Sequence, residues 1–212
     1  MTRYGTAITT VEQLEDVVGP PTQRAADKVR HALHPIDREW LAAASLVFIA
    51  TSDDEGNIDV SPKGDPAGFA MVLDDVTIAI PDRPGNRRVD GFHNLLRDPH
   101  IGLIFLVPGR GDTLRINGRA TIVRDAPFFD DMVVQGNRPD LALVVDIDEV
   151  FFHCSKAFLR SKAWDPSTWT ESAAPRRAVI AKAVERPDDP IELLDRYYGP
   201  SYAESIYRKP AR

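Results

Sequence analysis

Cysteine is nearly absent. Cys154 stands alone in 212 residues, so no internal disulfide framework can form and a reducing compartment is implied. No apolar run approaches the roughly 20 residues that span a bilayer. The opening residues carry Glu12, Glu15 and Asp16 and lack the basic-then-apolar layout of a secretory leader. The expected location is therefore cytoplasmic, without membrane partners. Basic residues are not in excess either: the net charge is -6 and the pI near 5.4, which argues against nucleic acid as a partner. Glycine signatures are missing as well. Neither GxGxxG nor GxxxxGK[ST] occurs, so Rossmann and P-loop readings fail, and no GxSxG elbow supports a serine hydrolase. His31, His34, His93 and His100 show no ligand spacing. Adjacent His153 and Cys154 would point to opposite faces of a strand, so no metal site is expected and Cys154 reads as a core thiol.

What is present is an ordinary globular composition, 43% hydrophobic and 27% charged, with no repeat or linker. Thr10-Val11-Glu12-Gln13 reads as a capping box, and Gly19-Pro20-Pro21 stops that helix. A second helix is predicted over Thr22 to Leu33, and a third, capped by Asp37, over Arg38 to Ala44; all three should pack outside the core. From Ser45 the period becomes extended. Strands are predicted at Leu46–Ala50, Ile58–Ser61, Gly68–Leu73, Val76–Ile80, Ile101–Val107, Thr113–Val123 and Leu141–Cys154. A helix is predicted near Val89–Leu96, a short one near Pro127–Val134, and mainly helix thereafter, including Ile191–Tyr198. Hairpin connections with few crossovers favour an antiparallel barrel of six or seven strands over a doubly wound parallel sheet. The expected class is mainly β with flanking helices.

Four segments could carry chemistry. Pro81-Asp82-Arg83-Pro84-Gly85-Asn86-Arg87-Arg88 joins a strand to a helix, where backbone amides and permanently charged guanidinium groups suit a phosphate. The alternative is a solvated turn whose arginines pair with acids such as Asp82 and Asp90. Ser61-Pro62-Lys63-Gly64-Asp65 ends a strand and can offer main-chain groups and a cation to a flat heterocycle such as a flavin; read alone, it is an exposed Pro-Gly loop. Arg115, Asn117 and Arg119 share a strand face, either a charged cleft or the solvated side of a sheet. Gly118 beside them hints at a bulge or a close backbone approach. Lys156, Arg160 and Trp164 recur at helical spacing and could meet a flavin edge or an acidic substrate, or form an exposed helix face.

In this order the segments resemble the pyridoxamine 5'-phosphate oxidase superfamily of FMN-binding split-barrel proteins, and within it a subgroup of probable FMN-dependent enzymes. The resemblance covers roughly Asp37 to Trp169. It rests on Phe48-Ile49-Ala50-Thr51, Ser61-Pro62-Lys63-Gly64, Ile80 to Arg88, Asn94-Leu95-Leu96-Arg97-Asp98-Pro99, Leu106 to Gly111, Arg115 to Ala120 and Lys156 to Trp164. It implies a homodimer with FMN at the subunit interface. Arg83, Asn86, Arg87 and Arg88 would hold the phosphate and Ser61, Pro62 and Lys63 would lie along the ring. Arg115, Asn117, Arg160, Ser161 and Trp164 would close the site from the neighbouring subunit. Residues 1–212 would form a single FMN-binding split-barrel domain, with helical extensions at 1–44 and 155–212. The implied activity is an FMN-dependent oxidoreductase acting on a small molecule, with no catalytic side chain assigned. The ending Glu204-Ser205-Ile206-Tyr207-Arg208-Lys209-Pro210 does not match the Arg-x-x-Pro-type ending of pyridoxamine phosphate oxidases proper, which argues against that substrate. Two other readings stay open: a flavin- or haem-binding module without turnover, with His153 or His93 as haem ligand, and a deazaflavin-dependent reductase.

Overall fold

The structure is a computed structural model and describes residues 3–208. Its centre is a sheet of seven antiparallel strands: β1 Leu46–Ser52, β2 Ile58–Gly64, β3 Met71–Val72, β4 Thr77–Pro81, β5 His100–Leu106, β6 Thr113–Val123 and β7 Ala142–His153. Their order is β2-β1-β5-β6-β7-β4-β3, the split barrel expected from the hairpin pattern. Inward residues such as Val47, Ile49, Leu103, Phe105, Leu114, Ile116 and Val145 form the core; each such burial contributes about 1.5–3 kcal/mol.

The sheet runs further than its most apolar stretches. β2 continues through Pro62 to Gly64, which an edge strand tolerates because a missing N–H on an outer strand breaks little. The β3 half of its hairpin keeps two ladder residues, not the six of Gly68–Leu73. The β6–β7 register shifts between Asn117 and Gly118, whose partners are Glu149 and Ile147, so β7 bulges there at Asp148. A Cβ on Gly118 would lie 2.1 Å from the Asp146 carbonyl oxygen, so the backbones approach where only glycine fits. The bulge and the close approach occur together.

The first helix, α1 Val11–Val18, is capped as expected, with Thr10 Oγ1 accepting from the Gln13 amide. The return bond differs: Gln13 Oε1 accepts from Thr9 N, not Thr10 N. No α1 residue is buried, so this helix does not pack on the core. The predicted helix over 22–33 is reduced to α2 Gln23–Ala26. The reason is long-range. β4 covers β7 only from Ala142 to Asp146, and Arg30 exchanges both backbone hydrogen bonds with Val150 on the remaining edge. Satisfying an otherwise open strand edge outweighs local helix propensity.

The third helix, α3 Pro35–Ala43, starts earlier than expected. His34 caps it, Pro35 occupies the first turn, and Asp37 sits three residues in. Asp37 is fully buried and accepts from both terminal nitrogens of Arg30, at 2.5 and 2.9 Å. Next come α4 Asp90–Leu95 and a 3-10 turn at Pro127–Met132, whose Phe129 and Met132 pack on Ala79 and Ala142. Beyond the sheet lie α5 Lys156–Ser161, α6 Arg177–Val184, α7 Ile191–Tyr197 and α8 Pro200–Glu204. Among the described residues, no helix is long and apolar enough to cross a membrane.

Candidate functional site

The barrel is split where β2 and β4 leave the sheet. Asp65 directly follows β2 and Asp82 and Arg83 directly follow β4, and two ion pairs bridge them: Lys63 Nζ to Asp82 at 2.7 Å and Arg83 Nε to Asp65 at 2.5 Å. Side-chain pairing holds this seam where the ladder is interrupted. A cleft of about 1270 Å³ opens along it.

One wall of the cleft is β2. Asp59, Ser61 and Lys63 alternate along that strand and line the cleft, while Ile58, Val60 and Pro62 present the exposed positions. Pro62 also reaches the lining. As an outer strand, β2 keeps one row of main-chain groups outside the ladder. The facing wall is the loop 82–89, from which Arg83, Asn86, Arg87 and Arg88 all contribute. That loop contains two left-handed residues, Arg87 at φ 65° and Val89 at φ 44°. For the β-branched Val89 this conformation is strained, and such strain persists only where the surroundings enforce it. The helix that follows, α4, has six residues and aligns few peptide dipoles. The positive field therefore comes from side chains.

Those side chains are not equivalent. The Arg83 side chain is 14% exposed and the Asp65 side chain 1%. Besides that pair, Arg83 donates to the carbonyls of Met132 at 2.7 Å and Asn137 at 3.2 Å. Arg88 lies largely in solvent and pairs with Asp90, a bond that raises its guanidinium above the usual value. Asn86 Oδ1 accepts from the Arg88 amide at 3.0 Å, and the space beside Gly85 is open. Lys63 stands 5.0 Å from the Phe92 ring centroid.

Residues 33–154, more than half of the chain, match the family described as Pyridoxamine 5'-phosphate oxidase. The chain belongs to this family. Solved structures similar to this pyridoxamine 5'-phosphate oxidase family member include HupZ of Group A Streptococcus, at 16% identity, 57% of this chain and 93% of that one, TM-score 0.45. An FMN-binding protein from Syntrophomonas wolfei matches at 18% identity over 56% and 89%, TM-score 0.41. A FAD-binding protein from Mesorhizobium loti matches at 17% over 58% and 96%, TM-score 0.38. No curated protein matches the chain.

The remaining residues singled out from the sequence of this family member lie outside the cleft of their own chain. Arg115 donates to Asn117 at 3.3 Å and Asn117 to Glu149 at 2.9 Å, on the sheet face turned from the core. Lys156, Arg160 and Trp164 do not form the continuous helical stripe that their spacing predicts. α5 ends at Ser161 and Lys162 turns left-handed at φ 53°, so Trp164 does not continue the Lys156–Arg160 stripe. Its indole stacks on Phe158 at 5.7 Å and donates to the Arg110 carbonyl at 2.9 Å. Ser161 Oγ donates to the Phe158 carbonyl. Cys154 is exposed, not a core thiol, because β7 ends at His153 and the chain leaves the sheet there. His93 and His153 are exposed and do not line the cleft. Among the described residues, no group of three or more His, Cys, Asp or Glu is placed to hold a metal.

The family member's cleft also uses residues that the motif reading missed, Asp59, Arg138 and Tyr207, together with Asp65 from the strand-end segment and Asp90, the acid expected to pair with a loop arginine. Asp59 could have been found from its alternation with Ser61 and Lys63. Tyr207 carries no local signal. Its hydroxyl donates to Asp65 Oδ1 at 2.5 Å across 142 positions, and burial, then the Asp65 bond, push it up to about 12.

Proposed function

We propose that the cleft holds FMN and that the chain is an FMN-dependent oxidoreductase acting on a small molecule. The observation that supports this most is that a single cleft is lined both by the outer strand β2 and by the loop bearing Arg83, Asn86, Arg87 and Arg88. The donor set fits the cofactor. Ser61, Pro62 and Lys63 would serve the ring, with the Lys63 cation favouring negative charge on its carbonyl edge. Arg87, Arg88 and the Asn86 amide would serve the phosphate. A bound flavin supplies hydride transfer at its N5.

Arg83 takes a different role from the one first assigned to it. Its Nε and both terminal nitrogens already bond to Asp65, Asn137 and Met132, so it shapes the loop and Arg88 meets the anion. The exposed Arg88–Asp90 pair is weak in water and yields readily to a dianion. Residues 1–212 would act as one cofactor-binding unit in a cytoplasmic homodimer, with Arg115, Asn117, Arg160, Ser161 and Trp164 closing the cleft of the other copy. A haem module is less well supported, because neither candidate histidine reaches the cleft.

The test is an absorption spectrum of the purified protein, repeated after FMN addition and removal of excess. Flavin bands that survive desalting are expected. Arg88→Ala should weaken FMN binding about tenfold, the scale of a lost bond to a charged group, with unchanged melting. Arg83→Ala should instead cost about 3–5 kcal/mol of stability, because Asp65 would keep a buried, unpaired charge. A protein that stays colourless with FMN rejects the reading, and deazaflavin is then the ligand to try.

A further inference from the structure

Asp65 is where four segments distant in sequence meet. It follows β2; Arg83, from the loop after β4, donates to one of its oxygens, and Tyr207 donates to the other, both at 2.5 Å. Through its terminal nitrogens Arg83 carries the connection on to Met132 and Asn137. The Arg83 guanidinium also lies 5.8 Å from the Tyr207 ring centroid. A carboxylate at 1% exposure is costly unless each oxygen has a donor, and here the two donors lie 18 and 142 positions along the chain from Asp65. Residues 82–89 belong to no helix or strand and include the left-handed Arg87 and Val89. The Asp82 amide donates to the Leu141 carbonyl at 2.9 Å, and beyond it the Arg83 side-chain bonds to Asp65, Met132 and Asn137 fix where the loop sits.

We infer that Tyr207 is a positioning residue. By satisfying Asp65 it fixes Arg83, and through Arg83 it holds loop 82–89 in the conformation that presents Arg87 and Arg88 to the cleft. The segment around Tyr207 is thus a strap on the anion site, although its own side chain need not touch the ligand. This rests on the reading of loop 82–89 as the phosphate site.

The conservative variant Tyr207→Phe keeps the ring and removes the donor. Hydrogen exchange of residues 82–89 should be measured on the ligand-free protein, alongside FMN and riboflavin titrations of wild type and variant. In Tyr207→Phe, loop exchange should rise about tenfold, the factor that loss of one buried hydrogen bond carries. FMN affinity should fall by a similar factor, and riboflavin, which lacks the phosphate, should respond far less. Asp65→Asn should mobilise the same loop. Loop exchange identical to wild type in Tyr207→Phe overturns the inference, whatever the titrations show. If wild-type protein binds riboflavin as tightly as FMN, the phosphate reading falls, while the exchange data still decide whether Tyr207 holds the loop.

Discussion

Between Arg83 and Arg88 the loop changes character within five residues. Arg83 is enclosed by Asp65, Asn137, Met132 and the Tyr207 ring, whereas Arg88 projects into solvent beside Asp90. Equal formal charge therefore does not mean equal availability; burial and prior partners decide which cation can meet an incoming anion. The same enclosure gives Tyr207 a measurable signature. Its folded-state value is raised from the ordinary 10.0 to about 12, so the neutral phenol is favoured by folding. The sign follows from linkage: this contribution is fully present below pH 10 and is lost as pH rises toward 12. Wild-type protein should accordingly lose stability over that window more steeply than Tyr207→Phe, in parallel denaturant titrations. Parallel pH profiles for the two proteins would show that the phenol is not held as described.

Among the elements, strands were the most legible. β6 spans Thr113–Val123 as its alternation predicted, and β7 differs by one residue at each end, because period-2 patterning reports directly on a half-buried sheet. The helix over 22–33 was misread because the Arg30–Val150 bridge lies 120 positions away from any local cue. The site divides in the same way. Ser61–Lys63 and Arg83–Arg88 could be found because each is a contiguous run, whereas the Asp65–Tyr207 contact and the Arg138 lining depend on chain closure that no short motif encodes. Gly118 is the element-scale case that sequence anticipated, and it can be tested. Gly118→Ala would drive a methyl group to within 2.1 Å of a backbone oxygen on β7, where no flexible side chain can yield. The expected loss is about 3 kcal/mol, since the strands must part at the bulge. Thermal unfolding measures it, and a variant as stable as wild type would mean that the β6–β7 approach is looser than described.

At the scale of the whole molecule, β1 and β5 carry apolar residues on both faces. Val47, Ile49, Leu103 and Phe105 fill the core, yet Phe48, Val60 and Ile104 stand exposed on the opposite face, with Ile58 76% exposed at the outer strand. The register makes these neighbours: Phe48 lies opposite Ile104, Ala50 opposite Val60, and Ile104 opposite Arg115. An apolar patch beside an open strand edge invites association unless something covers it. A second copy of the chain suits it, since a two-fold interface brings the same patch from both sides and would carry Arg115 and Asn117 toward the neighbouring cleft. Light scattering should therefore give a dimer for the wild-type protein. Val60→Asp places an unpaired carboxylate in the middle of the patch without touching the core or the cleft-facing side of β2, and should yield a folded monomer. If the cleft is completed by the other copy, that monomer should also hold FMN more weakly than the dimer does. A Val60→Asp protein that remains dimeric would remove this face as the interface, and a monomeric variant with undiminished FMN affinity would show that each chain builds its site alone.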